Sequence, residues 1–270
     1  MIDVNRAAEV ALETAHKASA LVLRVYEEPF EVEFKSENDP VTRADRESNA
    51  LICERLDRAF PGIPIVAEES PATSYAGFER SETVWFVDPL DGTREFVAKN
   101  GEFAVMIGLS EGGRAKLGVI VAPTWNRTFL GIVGEGAWQI GADGSREPIH
   151  VSTRPRLEGA RIVVSRSHRP PRIDAFVAAM GAREALIYGS AGLKAVLVAT
   201  GDCDVFLQPL PAGMRWDACA SEAIVKGAGG EWTDARGAVF DYKTTDLANR
   251  AGMIGTNSLL HAATIAALRT

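Results

Sequence analysis

What this chain lacks narrows the possibilities before any motif is read. Across 270 residues there are only three cysteines, Cys53, Cys203 and Cys219. They are odd in number, widely spaced and set among largely apolar neighbours. That argues against a disulfide framework or a zinc site, and for reduced core thiols in a cytosol-like compartment. No basic segment leads into an apolar core at the N-terminus, and no apolar run is long enough to span a bilayer, so a cytoplasmic location without membrane contact is expected. Excess positive charge is missing as well. The net charge is −7, and without a basic stripe nothing can release counterions from a nucleic-acid backbone. No internal repeat, low-complexity tract or long linker interrupts the chain. The remainder, 46% hydrophobic and 24% charged, is ordinary for a globular protein with ample chain to bury a core.

The acids cluster at the ends of apolar runs. Val84 to Val87 reads as a buried strand, and it ends in Asp88-Pro89-Leu90-Asp91-Gly92-Thr93. Pro89 biases Asp88 towards an extended backbone, and Gly92 permits a tight reversal into a helix start at Thr93. Two carboxylates, a helix N-terminus and a hydroxyl therefore converge, a set that offers oxygen ligands to Mg²⁺ and N–H donors to a phosphate. Taken alone, Asp91-Gly92 reads as a surface β-turn, and only its surroundings turn it towards a site. Upstream, Ile65-Val66-Ala67 runs into Glu68-Glu69, again acids at a strand end. Downstream, Trp216-Asp217 opens a segment of helical periodicity, where an acid also complements the helix dipole. The negative net charge suits a phosphatase only if clustered acids hold cations that invert the local field.

These pieces, in this order, resemble the lithium-sensitive, Mg²⁺-dependent phosphatase superfamily of inositol monophosphatases, fructose bisphosphatases and bisphosphate nucleotidases. The resemblance rests on Glu68-Glu69, Asp88 to Thr93 and Trp216-Asp217. It takes in Asp39-Pro-Val-Thr-Arg-Ala-Asp45 and covers most of the chain. It implies a layered αβαβα sandwich. It also implies two or three Mg²⁺ ions: Glu68, Asp88 and the Leu90 carbonyl on the first, Asp88, Asp91 and Asp217 on the second, and Glu68 through water on a weaker third. Thr93 and Asp45 would aim the attacking water, Glu69 would orient ligands from behind, and N–H groups near Gly92 and Thr93 would hold the phosphate. From the sequence alone, Asp45 is also the N3 residue of a capping box on Thr42, so capping and catalysis both stand as its role.

The remaining pattern predicts an α+β first half and an α/β second half. Residues 3–27 are apolar at helical spacing, with His16 on the surface. Glu31 to Phe34 alternates as a strand, Lys35 to Pro40 reads as a loop, and a helix runs from Thr42 to Phe60. Four β-rich runs (104–109, 117–122, 128–133 and 137–140) separated by turn residues predict an antiparallel sheet. The polar patch Gly141 to Arg146 and the Arg154-Pro155 break place a boundary between residues 1–153, with most of the metal site, and 154–270, with Asp217 and the substrate-side loops. Strands at 161–165, 205–207 and 253–255 alternate with helices at 172–180, 191–200, 217–226 and a last one reaching Leu268.

Substrate choice lies in the second half. Val164-Ser-Arg166-Ser-His168 and Gly189-Ser190-Ala-Gly-Leu-Lys194 are loops at strand-to-helix junctions, where ligands of α/β sheets gather. Arg166 can take a phosphate bidentately, Lys194 as a point charge, and the Gly189 to Ala191 backbone can donate to a ribose or phosphate; both cations also read as solvated surface charges. Together with Arg94-Glu-Phe-Val-Ala-Lys-Asn-Gly-Glu-Phe103, these strings resemble CysQ-type 3′(2′),5′-bisphosphate nucleotidases of sulfur metabolism. The implied substrate is adenosine 3′,5′-bisphosphate, with 3′-phosphoadenosine 5′-phosphosulfate as a second candidate. Inositol monophosphatases carry an acid six positions before the Trp of Trp-Asp; here that position is Leu210. Gln208 to Gly213 also departs from the CysQ-type spelling, lacking its arginine. The alternatives are an inositol or other small phosphate ester, and a non-enzymatic interaction protein on the same fold, against which the intact acid set stands. A monomer and a homodimer fit equally.

Overall fold

The computed structural model describes residues 2–36, 39–167 and 169–269. Ala7, Ala8, Ala11, Ala15, Ala18, Val22 and Val25 form the buried stripe of α1 (Val4–Glu27). The helix is capped by Asp3, whose side chain accepts from the Asn5 and Arg6 N–H groups at 3.0 and 3.2 Å. β1 (Glu33–Ser36) and β2 (Asp39–Val41) then pair antiparallel. The expected Glu31–Phe34 strand is thus shifted, and much of the expected Lys35 to Pro40 loop is strand; Glu37 and Asn38 lie outside the described residues. All four β1 positions are exposed, so no apolar alternation marked the extension. α2 (Arg43–Ala59) follows with Thr42 at its N-cap.

One sheet has seven strands in sequence order: β3 (Ile65–Ala67), β4 (Thr83–Asp91), β5 (Ala104–Glu111), β6 (Arg114–Ala122), β7 (Arg127–Ile132), β8 (Gly136–Ile140) and β9 (Arg146–Pro148). β3 runs parallel to β4, and every later pair is antiparallel. The short helix α3 (Thr93–Val97) sits between β4 and β5. The polar patch from Gly141 is the turn of the β8–β9 hairpin.

The other sheet has the order β11-β10-β12-β14-β13, from β10 (Arg161–Ser165), β11 (Glu184–Tyr188), β12 (Val205–Gln208), β13 (Glu231–Thr233) and β14 (Met253–Thr256). β11 and β13 sit at its edges and carried no clear pattern in the sequence. The helices are α4 (Pro171–Ala179), α5 (Ala191–Ala199), α6 (Arg215–Gly227) and α7 (His261–Ala267).

Strand alternation assigns the layers. On β4, Trp85 and Val87 pack with the α1 and α2 stripe, while Val84 and Phe86 face α5 and α6. On β12, Phe206 joins the α5 and α6 side, whereas Val205 and Leu207 join Ile173, Leu260 and Ile265 from the outer helices. The stack is therefore αβαβα, as the sequence implied. All three cysteines are free, with Cys203 and Cys219 buried. Among the described residues no helix is long and apolar enough to cross a membrane.

The middle layer is held unusually close. Gly108, Gly118 and Gly131 are cross-strand partners on β5, β6 and β7. A Cβ on Gly118 would stand 2.3 Å from the Ala220 carbonyl oxygen, and one on Gly131 2.4 Å from the Ile224 Cα. The α6 backbone thus lies directly on a glycine stripe, which no side chain could share. Gly118→Ala should force α6 off the sheet and reduce stability by about 1–3 kcal/mol, read as a lower urea midpoint. An unchanged midpoint would show that the layer spacing is not fixed by this stripe.

Candidate active site

Pairing between β4 and β5 slips at the end of the strand: Asp88 is opposite Met106 and Asp91 opposite Ala104, three steps against two. In a regular strand, residues three apart point to opposite faces. Pro89 has no N–H for the ladder, and the bulge it accompanies lets Asp88 and Asp91 converge. The Asp88 Oδ1 accepts from the Leu90 N–H at 3.1 Å. The chain then turns through Gly92 at φ 94°, where a Cβ would lie 2.8 Å from the Glu102 carbonyl oxygen.

Asp217 enters from α6, held by the Met214 N–H on its Oδ2 at 2.5 Å. Carboxylate oxygens of Asp88, Asp91 and Asp217 all lie within 4.8 Å of one another. Asp88 and Asp91 are buried. Burial, then repulsion from Glu68, Asp91 and Asp217, drives the Asp88 carboxyl well above its usual range. Burial followed by Asp91 and Glu68 raises Asp217 to about 8. Glu68 adjoins Asp88 outside this triad. Burial raises it to about 7, against the pull of Lys35. Hard oxygen donors so closely packed that they retain protons fit a hard divalent cation, which would relieve the repulsion.

Asp45 makes a contact that bears on each of its two expected roles. Its Oδ2 accepts from the Thr42 N–H and hydroxyl, each at 2.7 Å, while its Oδ1 lies 2.8 Å from the Thr93 hydroxyl. One oxygen caps the helix and the other faces the site. The Thr93 Oγ1 is also 3.1 Å from the Leu90 carbonyl oxygen. Burial raises the Asp45 carboxyl, opposed by its three donors.

The substrate-side residues are arranged differently from the expectation. Arg166 does not stand free for a phosphate: it grips Glu102 through Nε at 3.1 Å and Nη2 at 2.5 Å. The Gly189 N–H donates to the same carboxylate at 2.7 Å. The Ser190 hydroxyl donates to Asp91, joined by the Ala191 and Gly192 N–H groups at 3.1 and 2.7 Å. These donors hold protein carboxylates, so the first turn of α5 fixes Asp91. Lys194 is buried, its ammonium donating to the Gly189 and Ser190 carbonyls. Burial lowers it to about 8, although the nearby acids, Asp91 first, favour its charge. It is an internal cation beside Asp91. His168 lies outside the described residues. Leu210 packs against the outer core and does not line the cleft.

Glu68, Asp88, Asp91 and Asp217 open on one cleft of about 430 Å³, which Thr93, Gly189, Lys194 and Gln208 also line. Sequence reasoning missed Lys35, whose Nζ bridges Glu68 at 3.0 Å and Glu69 at 2.6 Å. Burial opposes the Lys35 charge, but the two glutamates outweigh it and raise the ammonium. It also missed Glu95 and Glu102. Glu95 is buried and accepts from Ser167 at 2.8 Å and from Asn100. Both acids lie within the Arg94 to Phe103 string, so the signal was present without an assigned role.

Fold and cleft define a class: a layered αβαβα protein with a carboxylate cluster that could hold a metal ion. Residues 3–270 match the inositol monophosphatase family, and the chain belongs to that metal-dependent family. Among its relatives, the 3′(2′),5′-bisphosphate nucleotidase CysQ of Escherichia coli O6:H1 is 35% identical over 231 residues, covering 84% of this chain and 90% of that protein. The structure of the extragenic suppressor protein suhB from Bartonella henselae superposes with a TM-score of 0.83 at 30% identity, covering 97% of this chain and 98% of that one. CysQ from Bacteroides thetaiotaomicron gives 0.76 at 30% identity, covering 93% and 97%.

The raised carboxyls fix a pH dependence. Between the ordinary aspartate value of 3.8 and about 8, Asp217 is protonated in the metal-free fold and ionised in the unfolded chain. The unfolded state then binds fewer protons, so metal-free stability should fall as pH rises through this window. Stabilisation by Mg²⁺ should grow over the same range, because the cation binds the ionised form. Melting temperatures at pH 5 and pH 8, with and without Mg²⁺, check this; a Mg²⁺ increment equal at both pH values would contradict it.

Proposed function

We propose that the chain is a Mg²⁺-dependent 3′(2′),5′-bisphosphate nucleotidase, releasing the 3′-phosphate of adenosine 3′,5′-bisphosphate to give AMP and phosphate. The observation that carries the reaction is the Thr93–Asp45 hydrogen bond beside the triad of Asp88, Asp91 and Asp217. Similarity to CysQ over 84% of the chain supports the substrate. The phosphosulfate analogue is a second candidate substrate.

Glu68, Asp88 and the Leu90 carbonyl would hold one ion, and Asp88, Asp91 and Asp217 another, with Glu68 aiding a third. When bound, Mg²⁺ supplies water of lowered pKa and stabilises charge on the departing oxygen. The Thr93 hydroxyl has a single proton. Donated to Asp45, it leaves an oxygen lone pair free to accept from the attacking water and aim it. Thr42 holds Asp45 in place for this exchange. Glu69, tied to Lys35, orients Glu68 from behind. N–H groups at Gly92 and Thr93 steady the phosphate. The acids leading into α3 and the cleft side of α6 come from either side of the proposed division near residue 153, so closure of the site joins the two halves.

Thr93→Ala should lower kcat by about 10²–10⁴-fold while leaving the Mg²⁺-dependent rise in melting temperature in place. A loss of both would make Thr93 a structural residue. The substrate is tested by phosphate release from adenosine 3′,5′-bisphosphate and from inositol 1-phosphate, each with Mg²⁺ and with chelator. A higher kcat/KM for the nucleotide is expected, abolished by chelator; preference for the inositol ester would overturn the nucleotidase reading.

A further inference from the structure

Gln208 is only 4% exposed, yet among the described residues its side-chain amide has no hydrogen-bond partner. It ends β12 two residues after Phe206, on the face turned to α5 and the cleft, while Val205 and Leu207 face the outer helices. Its cross-strand partner on β14 is Met253, so the two side chains share that face. Phe206, Gln208 and Met253 all line the cleft. The Phe206 ring is covered on the α5 side by Lys194, whose Nζ is 5.4 Å from the ring centroid.

The Gln208 amide is not among the fully buried unpaired polar atoms, so it opens onto the cleft, where a bound group can partner it. It presents an acceptor and two donors in one plane and cannot ionise. A second phosphate would gain no charge from it, and the flanking phenyl and thioether groups leave polyol hydroxyls unsatisfied. A flat heterocycle with a donor–acceptor edge satisfies both features, as Gln does with the N6 and N7 edge of adenine.

We infer that Gln208, walled by Phe206 and Met253, receives the base of the nucleotide and pairs its carboxamide with a donor–acceptor edge. This rests on the nucleotidase reading and adds to it a residue that sets specificity.

Gln208→Met keeps the side-chain length and removes the amide. The test measures kcat/KM of the full Mg²⁺-loaded chain for adenosine 3′,5′-bisphosphate and for glycerol 2-phosphate, which has no base. The preference for the nucleotide, the ratio of the two values, should fall roughly 10–100-fold in the variant. Without substrate, the variant should melt no lower than the wild type, because the amide it removes makes no hydrogen bond to the described residues. An unchanged ratio overturns the inference, as does a variant that melts lower and loses both activities alike. A wild-type chain with no preference for the nucleotide removes the nucleotidase reading and this inference with it. A wild-type preference that the variant retains removes the inference alone.

Discussion

The constraint on which the rest of the structure depends is the repulsion among Glu68, Asp88, Asp91 and Asp217 in one cleft, where Asp88 and Asp91 are buried and the other two half-buried. Carboxylates this close, two of them buried, do not all stay charged without a cation. The fold therefore has to force them together from three separate segments. The β4 bulge at Pro89 brings Asp88 and Asp91 to one side. The glycine stripe lets α6 lie low enough to deliver Asp217. Protein donors then offset part of the charge: the first turn of α5 holds Asp91, and Lys35 bridges the two glutamates.

Helix caps and the candidate site share residues here. Asp45 uses one oxygen to cap α2 and the other to meet Thr93, so the helix that positions the carboxylate is stabilised by it. Asp217 likewise sits at the N-terminus of α6, where an acid complements the helix dipole, and faces the triad from there. A residue with a sufficient structural role therefore still has an oxygen left to face the candidate site. In both positions the capping requirement fixes the backbone, and the free oxygen is aimed as a consequence.

Much of this was legible in the chain. Asp88 to Thr93 revealed itself because a buried strand seldom ends in two acids around a proline and a glycine. The less legible features depend on contacts distant in sequence. Nothing local marks Glu102 as the partner of Arg166, 64 residues away, so a lone arginine in a loop read as a phosphate ligand. The α5 N–H groups read as open donors because Asp91, which occupies them, lies on another strand. β1 was placed two residues early, and β11 and β13 were missed, because short edge strands lack a sustained apolar period. Gly108, Gly118 and Gly131 are scattered in sequence, and only the strand register aligns them under α6.

The most direct test of the carboxylate cleft is a count of protons released when Mg²⁺ is added to the metal-free protein in a weakly buffered solution at pH 7. With Asp217 raised to about 8 and Glu68 to about 7, cation binding should expel protons into solvent, and the release should diminish in Asp217→Asn. Binding of Mg²⁺ with no proton release would contradict the account, since the acids would then be fully ionised before the cation arrives.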